Sequence, residues 1–91
     1  MNKPHMYYWT KDSLDHEWRI LLVGDYETFE DGDAIVSELE VSEYWLVTDE
    51  KAYPETHVPD EIRAFADSLL DEKDTYIDIQ REYEKEGQHL V

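Results

Sequence analysis

Between Asp25 and Glu61 the chain gathers thirteen carboxylates (Asp25, Glu27, Glu30, Asp31, Asp33, Glu38, Glu40, Glu43, Asp49, Glu50, Glu55, Asp60 and Glu61) against a single base, Lys51. The flanks are different. Residues 1–24 set three bases against three acids, and residues 62–91 set four bases against eight acids, so the middle stretch supplies −12 of a net charge of −16. Mutual repulsion on this scale destabilises a compact state. The charge is therefore expected to serve something beyond solubility, which requires no such segregation along the sequence.

The material for a core is present. The apolar fraction is 41%, with three Trp, seven Tyr and two Phe, which is far more aromatic than a disordered acidic tail. The 91 residues make one small domain, and a domain of this size buries roughly 60–65% of the surface its unfolded form exposes. Cysteine is absent, which removes disulfides, thiolate metal sites and a cysteine nucleophile, and fits a reducing cytoplasm. No basic start leads into an apolar run, so no signal peptide is expected. The longest apolar run, Ile20-Leu21-Leu22-Val23, is far too short to span a membrane. A pI near 4.3 argues against direct contact with nucleic acid or an anionic membrane, both of which repel it.

The spacing of apolar residues predicts an α+β domain: a small antiparallel sheet of about three to four strands, with a short helix and a long C-terminal helix packed on one face. Residues 5–10 read as a strand with Met6, Tyr8 and Thr10 on one side and Tyr7 and Trp9 on the other. Glu17 to Val23 is apolar on both sides, as a central strand is, and Gly24-Asp25 is expected to end it. Tyr26 to Phe29 either extends a strand or crosses an edge. Glu30-Asp31-Gly32-Asp33 has the composition of a turn. Asp31 or Asp33 then caps a short helix over Ala34–Glu40, with Ile35, Val36 and Leu39 on one face; the alternative is a strand. Glu43 to Thr48 is a strand, and residues 49–58 form a loop. Pro59 opens a helix with Asp60 and Glu61 in its first turn. Its apolar stripe runs through Ile62, Phe65, Ala66, Leu69, Leu70, Tyr76, Ile77, Ile79 and Tyr83 and is interrupted at Asp71-Glu72-Lys73-Asp74, which leaves open a kink or a break into two helices there; Gly87 stops the helix.

Catalytic and metal motifs are missing. A calcium loop centred on Gly32 would place Phe29 at a ligand position, where no oxygen is available, and Glu27 where Asp is usual. His5, His16, His57 and His89 have no zinc-helix spacing. Carboxylates are so abundant that no pair stands out as a hydrolytic dyad. The serines lie in no nucleophile motif and no glycine-rich phosphate loop is present. The expectation is a protein that is not an enzyme and carries no cofactor.

What remains is the charge, interleaved with aromatics that suit anchoring in a protein groove. Carboxylates at alternate strand positions stand about 6.6 Å apart and those one helical turn apart about 5–6 Å, near the spacing of phosphates on a nucleic-acid strand. An acidic face can thus imitate a nucleic-acid backbone and compete for a Lys/Arg channel. The expected partner is a basic nucleic-acid-binding protein or nuclease complex, contacted through Tyr26, Glu27, Phe29, Glu30, Asp31, Asp33, Glu38, Glu40, Glu43, Asp49 and Glu50. No direct contact with nucleic acid or membrane is expected; a homodimer stays open. In composition and size the chain resembles the broad class of phage and mobile-element inhibitors, such as anti-CRISPR and anti-restriction proteins, which implies a DNA mimic acting in the host cytoplasm. The alternatives are an immunity protein or antitoxin against a basic nuclease toxin, and an assembly subunit whose acidity is incidental.

Overall fold

Strand-favouring residues fill most of the first half of the chain, and they pair as a meander. The computed structural model describes residues 3–88. It contains strands β1 (His5–Lys11), β2 (Glu17–Thr28), β3 (Ala34–Leu46) and β4 (Lys51–Tyr53), a 3-10 turn at Glu55–His57, and helices α1 (Asp60–Asp71) and α2 (Lys73–Gln88). The strands form one antiparallel sheet in the order β1-β2-β3-β4. The α+β architecture expected from the sequence is present, with β2 central between β1 and β3.

Alternation assigns the sheet's side chains. Met6, Tyr8 and Thr10 of β1 stand opposite Leu22, Ile20 and Trp18 of β2, which face Val41, Tyr44 and Leu46 of β3. Trp18, Ile20, Leu22, Val36, Leu39 and Tyr44 join Val58, Ile62, Ala66 and Ile79 in one buried apolar cluster. Helices and sheet therefore share a core. The alternate positions make a second layer outside that cluster. There the Arg19 guanidinium lies 4.5 Å from the Tyr7 ring centroid and 5.1 Å from that of Trp45, with its Nη2 3.4 Å from Glu43 Oε1. Leu21 is buried beneath this layer.

Ala34–Glu40 is not a helix. It is the first half of β3, and two irregularities explain the misreading. Leu21 pairs with Glu43 but Leu22 with Val41, and Val23 pairs with Glu40 but Asp25 with Ser37. Each step inserts one extra residue into β3, as a β-bulge does. The inward positions consequently fall at Val36, Leu39, Val41, Tyr44 and Leu46, and the three-residue steps imitate a helical stripe. At the second bulge Glu38 takes φ 52°, a left-handed conformation costly for a residue with a Cβ.

Gly24 does not end β2, which continues to Thr28. A Cβ on Gly24 would lie 2.7 Å from Leu39 Cδ2 and 2.8 Å from the Ser37 carbonyl oxygen. Its role is to let Leu39 fold over the strand at the bulge. The Glu30–Asp33 turn forms as expected, with Gly32 at φ 91°, and Asp31 accepts the Asp33 N–H at 3.0 Å inside the turn instead of capping a helix.

Three further expectations shift. The loop after β3 contains β4, whose Tyr53 packs edge-on against Trp18 at 5.8 Å. Pro59 is the N-cap of α1 and not its first helical residue. At Asp71–Asp74 the break into two helices is the option observed, where Glu72 turns extended (φ −95°, ψ 129°), and α2 does not stop at Gly87 but runs to Gln88. After the break the inward face carries Thr75 and Ile79, while Ile77 points outward.

Candidate functional site

β1 pairs with β2 only as far as His5 opposite Val23. Beyond that point β2 and β3 continue without it as a two-stranded arm, residues 24–28 and 34–40, closed by the turn at 29–33. The molecule measures 48 Å along its longest axis and 18 Å along its shortest.

Two devices hold the arm. The Gln80 side chain of α2 accepts the Val36 N–H at 3.4 Å and donates to the Ala34 carbonyl at 2.9 Å. The amide stands where a neighbouring strand's peptide group would stand, and it covers part of an otherwise open edge. Across the hairpin from Val36, the Tyr26 hydroxyl donates to Glu84 Oε2 at 2.8 Å, and its ring lies 4.8 Å from that of Tyr83. The hydrogen bond to Glu84, followed by burial, pushes the Tyr26 phenol above its ordinary value.

The other side of the arm is acidic. Glu27 stands opposite Ile35, Asp25 opposite Ser37 and Glu40 opposite Val23, so alternation places Asp25, Glu27 and Glu40 on one face. Glu30, Asp31 and Asp33 surround the turn, and Glu38 projects at the bulge. Glu27, Glu30, Asp31, Asp33, Glu38 and Glu40 are all exposed. Among the described residues none of these six forms an ion pair; on the arm only Asp25 does, with Lys3 at 3.2 Å. Residues 25–40 contain no Lys or Arg. Phe29, 49% exposed, stands at the tip amid these acids.

The eleven positions singled out from the sequence thus divide. Glu27, Phe29, Glu30, Asp31, Asp33, Glu38 and Glu40 come together on the arm. Tyr26 is on the opposite side, engaged with α2. Glu43 belongs to the Arg19 layer. Asp49 and Glu50 lie beyond the far end of β3, whose residues at about 3.3 Å each span roughly 40 Å; there Asp49 accepts the Tyr53 hydroxyl, which pushes the Tyr53 phenol up. Asp25, which is on the arm, and Lys3, which pairs with it from the segment before β1, were not among the eleven.

Among the described residues no three or more His, Cys, Asp or Glu side chains are grouped to hold a metal ion. The most strongly bonded carboxylate is Asp12, whose side chain is 5% exposed. It accepts the main-chain N–H of Leu14 and His16 and the Trp18 indole N–H, at 2.9, 2.9 and 3.0 Å. Burial alone would raise its pKa, but these hydrogen bonds and the nearby His16 outweigh it and hold the carboxyl below its usual range. This clasp shapes the β1–β2 connection. Among the described residues no helix is long and apolar enough to cross a membrane.

No family model matches this chain, and neither the curated proteins nor the solved structures contain a significant match.

Proposed function

We propose that the protein is an acidic inhibitor whose β2–β3 arm fills the basic nucleic-acid-binding cleft of a partner protein in a host cytoplasm, acting by exclusion and without turnover. The observation that supports this reading is the run of six exposed, unpaired carboxylates on an arm with no base of its own. Leaving such charges uncompensated raises self-repulsion, and a complementary positive surface relieves it. Asp25 and Glu27 stand at alternate strand positions, about 6.6 Å apart, so the arm offers anions at intervals a phosphate-binding channel accommodates. Phe29 supplies an aromatic anchor at the tip. Tyr26 has no part in the contact, and Asp49 and Glu50 lie too far along the molecule to share it.

The test is capture of a partner from the native host with the tagged protein, followed by competition with DNA and RNA. Nucleic acid displaces the protein, and binding weakens steeply as salt rises. The triple reversal Glu30→Lys, Asp31→Lys, Asp33→Lys abolishes capture, whereas Asp67→Lys, Asp71→Lys, Glu72→Lys, exposed at the end of α1 and the break after it, retains it. Equal losses from the two triples, or a partner that nucleic acid does not displace, would overturn the reading.

A further inference from the structure

The two edges of the sheet are not alike. On the far edge β4 is only three residues long, β3 carries two bulges, and Gln80 occupies main-chain groups of Val36 and Ala34. Short strands, bulges and covering groups are the usual means by which a sheet avoids pairing with another chain. β1 has none of them. It is seven residues long, regular in register from His5 to Lys11, and its only Lys is its last residue.

Its hydrogen-bonding groups can be assigned. Gly24 N–H donates to the Pro4 carbonyl, and Asp12 N–H donates to the His16 carbonyl, both at 3.0 Å. Residues 4 and 12 therefore turn their main-chain groups toward β2, and antiparallel alternation gives residues 6, 8 and 10 the same orientation. The N–H and C=O groups of His5, Tyr7, Trp9 and Lys11 point the other way, to an edge that no strand covers among the described residues.

A groove of about 340 Å³ runs beside that edge, lined by His5, Met6, Tyr7, Trp9, Glu82 and Glu86. Three of the four residues whose main-chain groups face outward also line the groove. Trp9 is 56% exposed and Tyr7 39%, while Glu82 and Glu86 of α2 form an acidic wall. Among the described residues neither carboxylate has an ion-pair partner. They are one helical turn apart, about 5–6 Å, and side chains at alternate positions of an added strand stand about 6.6–6.8 Å apart. Two long basic side chains two residues apart on such a strand can therefore each reach one carboxylate.

We infer that the β1 edge is a second binding surface, distinct from the arm, that takes an extended Lys/Arg-bearing segment of a partner protein as a fifth strand. Main-chain hydrogen bonds to His5, Tyr7, Trp9 and Lys11 hold the segment, Tyr7 and Trp9 receive its side chains, and Glu82 and Glu86 select for positive charge. The charge decides between this occupant and a second copy of the chain. Each copy carries −16, and pairing two β1 edges would bring two such walls together without a cation to separate them.

The probe is a blocked peptide of alternating Lys and Val, seven residues long, with a Glu/Val peptide as control, followed by amide NMR of the full chain at about 0.1 M salt, where the screening length is about 10 Å. The basic peptide shifts the amides of His5, Tyr7, Trp9 and Lys11 saturably and slows the hydrogen exchange of the Tyr7 and Trp9 amides; the acidic peptide does neither. Glu82→Gln with Glu86→Gln weakens binding by about ten-fold. Glu30→Gln, Asp31→Asn, Asp33→Asn at the tip changes it by less than about two-fold, since the tip lies well beyond a screening length. Trp9→Pro removes an outward donor while sparing the β2 pairing, a place where an edge strand accepts proline, and it abolishes binding with the circular dichroism intact. If that variant does not fold, the Glu82/Glu86 pair carries the test. The inference is overturned if the shifts centre on the tip, if both peptides bind alike, if the tip and α2 substitutions cost the same, or if the peptide-free protein is a dimer with its β1 amides already protected.

Discussion

The long β2–β3 hairpin has two halves built on different terms. At its base, Trp18, Ile20 and Leu22 sit between β1 and β3 and beneath residues of α1 and α2, and Ile20 and Leu22 are fully buried. In the arm the same two strands have no β1 beside them, and the described support comes from α2 through Tyr26, Val36 and Gln80. The base holds most of the core, to which the arm adds Val36 and Leu39, and the arm holds six exposed carboxylates with no ion-pair partner among the described residues. The difference bears on how a chain of net charge −16 stays folded: six of its repelling groups stand on a ribbon that contributes only Val36 and Leu39 to the buried cluster whose burial stabilises the fold.

The largest expected effect tests the base. Ile20→Ala should cost about 3–4 kcal/mol, the range for truncating a fully buried aliphatic side chain, seen as a large fall in the urea midpoint. A loss below about 1 kcal/mol would mean that the base is not where stability resides. Next, Gln80→Ala leaves the Val36 N–H and the Ala34 carbonyl without their partner. It should cost about 1–2 kcal/mol and speed hydrogen exchange in residues 34–38 while leaving that of residues 18–22 within error. Uniform acceleration would show that base and arm open as one unit.

Glu38→Gly should act in the opposite direction. It relieves a left-handed backbone that a Cβ disfavours and removes one of the repelling acids, for a gain of up to about 1 kcal/mol measured by urea unfolding. No change, or a loss, would mean that the Glu38 side chain contributes contacts that offset the strain. The smallest effect is alkaline. The Tyr26 phenol ionises above its ordinary value because of its hydrogen bond to Glu84 and its burial, so the folded state holds that proton more tightly than the unfolded chain. The stability this provides is complete below about pH 10, the unfolded phenol value, and is lost as pH rises through the folded value. Tyr8 and Tyr44, raised chiefly by burial, behave alike at the base. Tyr26→Phe should therefore flatten, without abolishing, the decline of the urea midpoint between about pH 9 and 11. An unchanged slope would place the alkaline sensitivity wholly at the base.

Much of the base was legible in the sequence because its period is simple. His5 to Thr10 alternates, Trp18 to Val23 is apolar on both sides, and both patterns translate directly into paired strands. The arm was misread because the bulge between Ser37 and Glu40 breaks the two-residue period, so the step from Val36 to Leu39 looks helical, and the bulge at Val41–Glu43 repeats that step just beyond it. One signal was available: Gly24 in the middle of an apolar strand marks a close approach, and here Leu39 makes it. For the site, summing charge over Asp25–Glu61 located the acidic region but could not see that a 13-residue strand separates Asp33 from Asp49. Tyr26 was indistinguishable from Phe29 as an anchor, since facing α2 depends on Glu84, 58 residues further on. The groove beside β1 depends on the same long-range packing, which brings Glu82 and Glu86 to His5 and Trp9.

The residues inserted into β3 have a geometric consequence. Each sharpens the right-handed twist of the ribbon, so the carboxylates of the arm do not stand in a flat row. They wind about its axis as a thread winds about a screw, and the pitch is set by where the insertions fall. Deleting an uncharged residue from the insertion between Glu40 and Ser37 would rotate the anions at the tip against Glu40 while leaving their number unchanged, which separates how much charge the molecule carries from the direction in which it is presented.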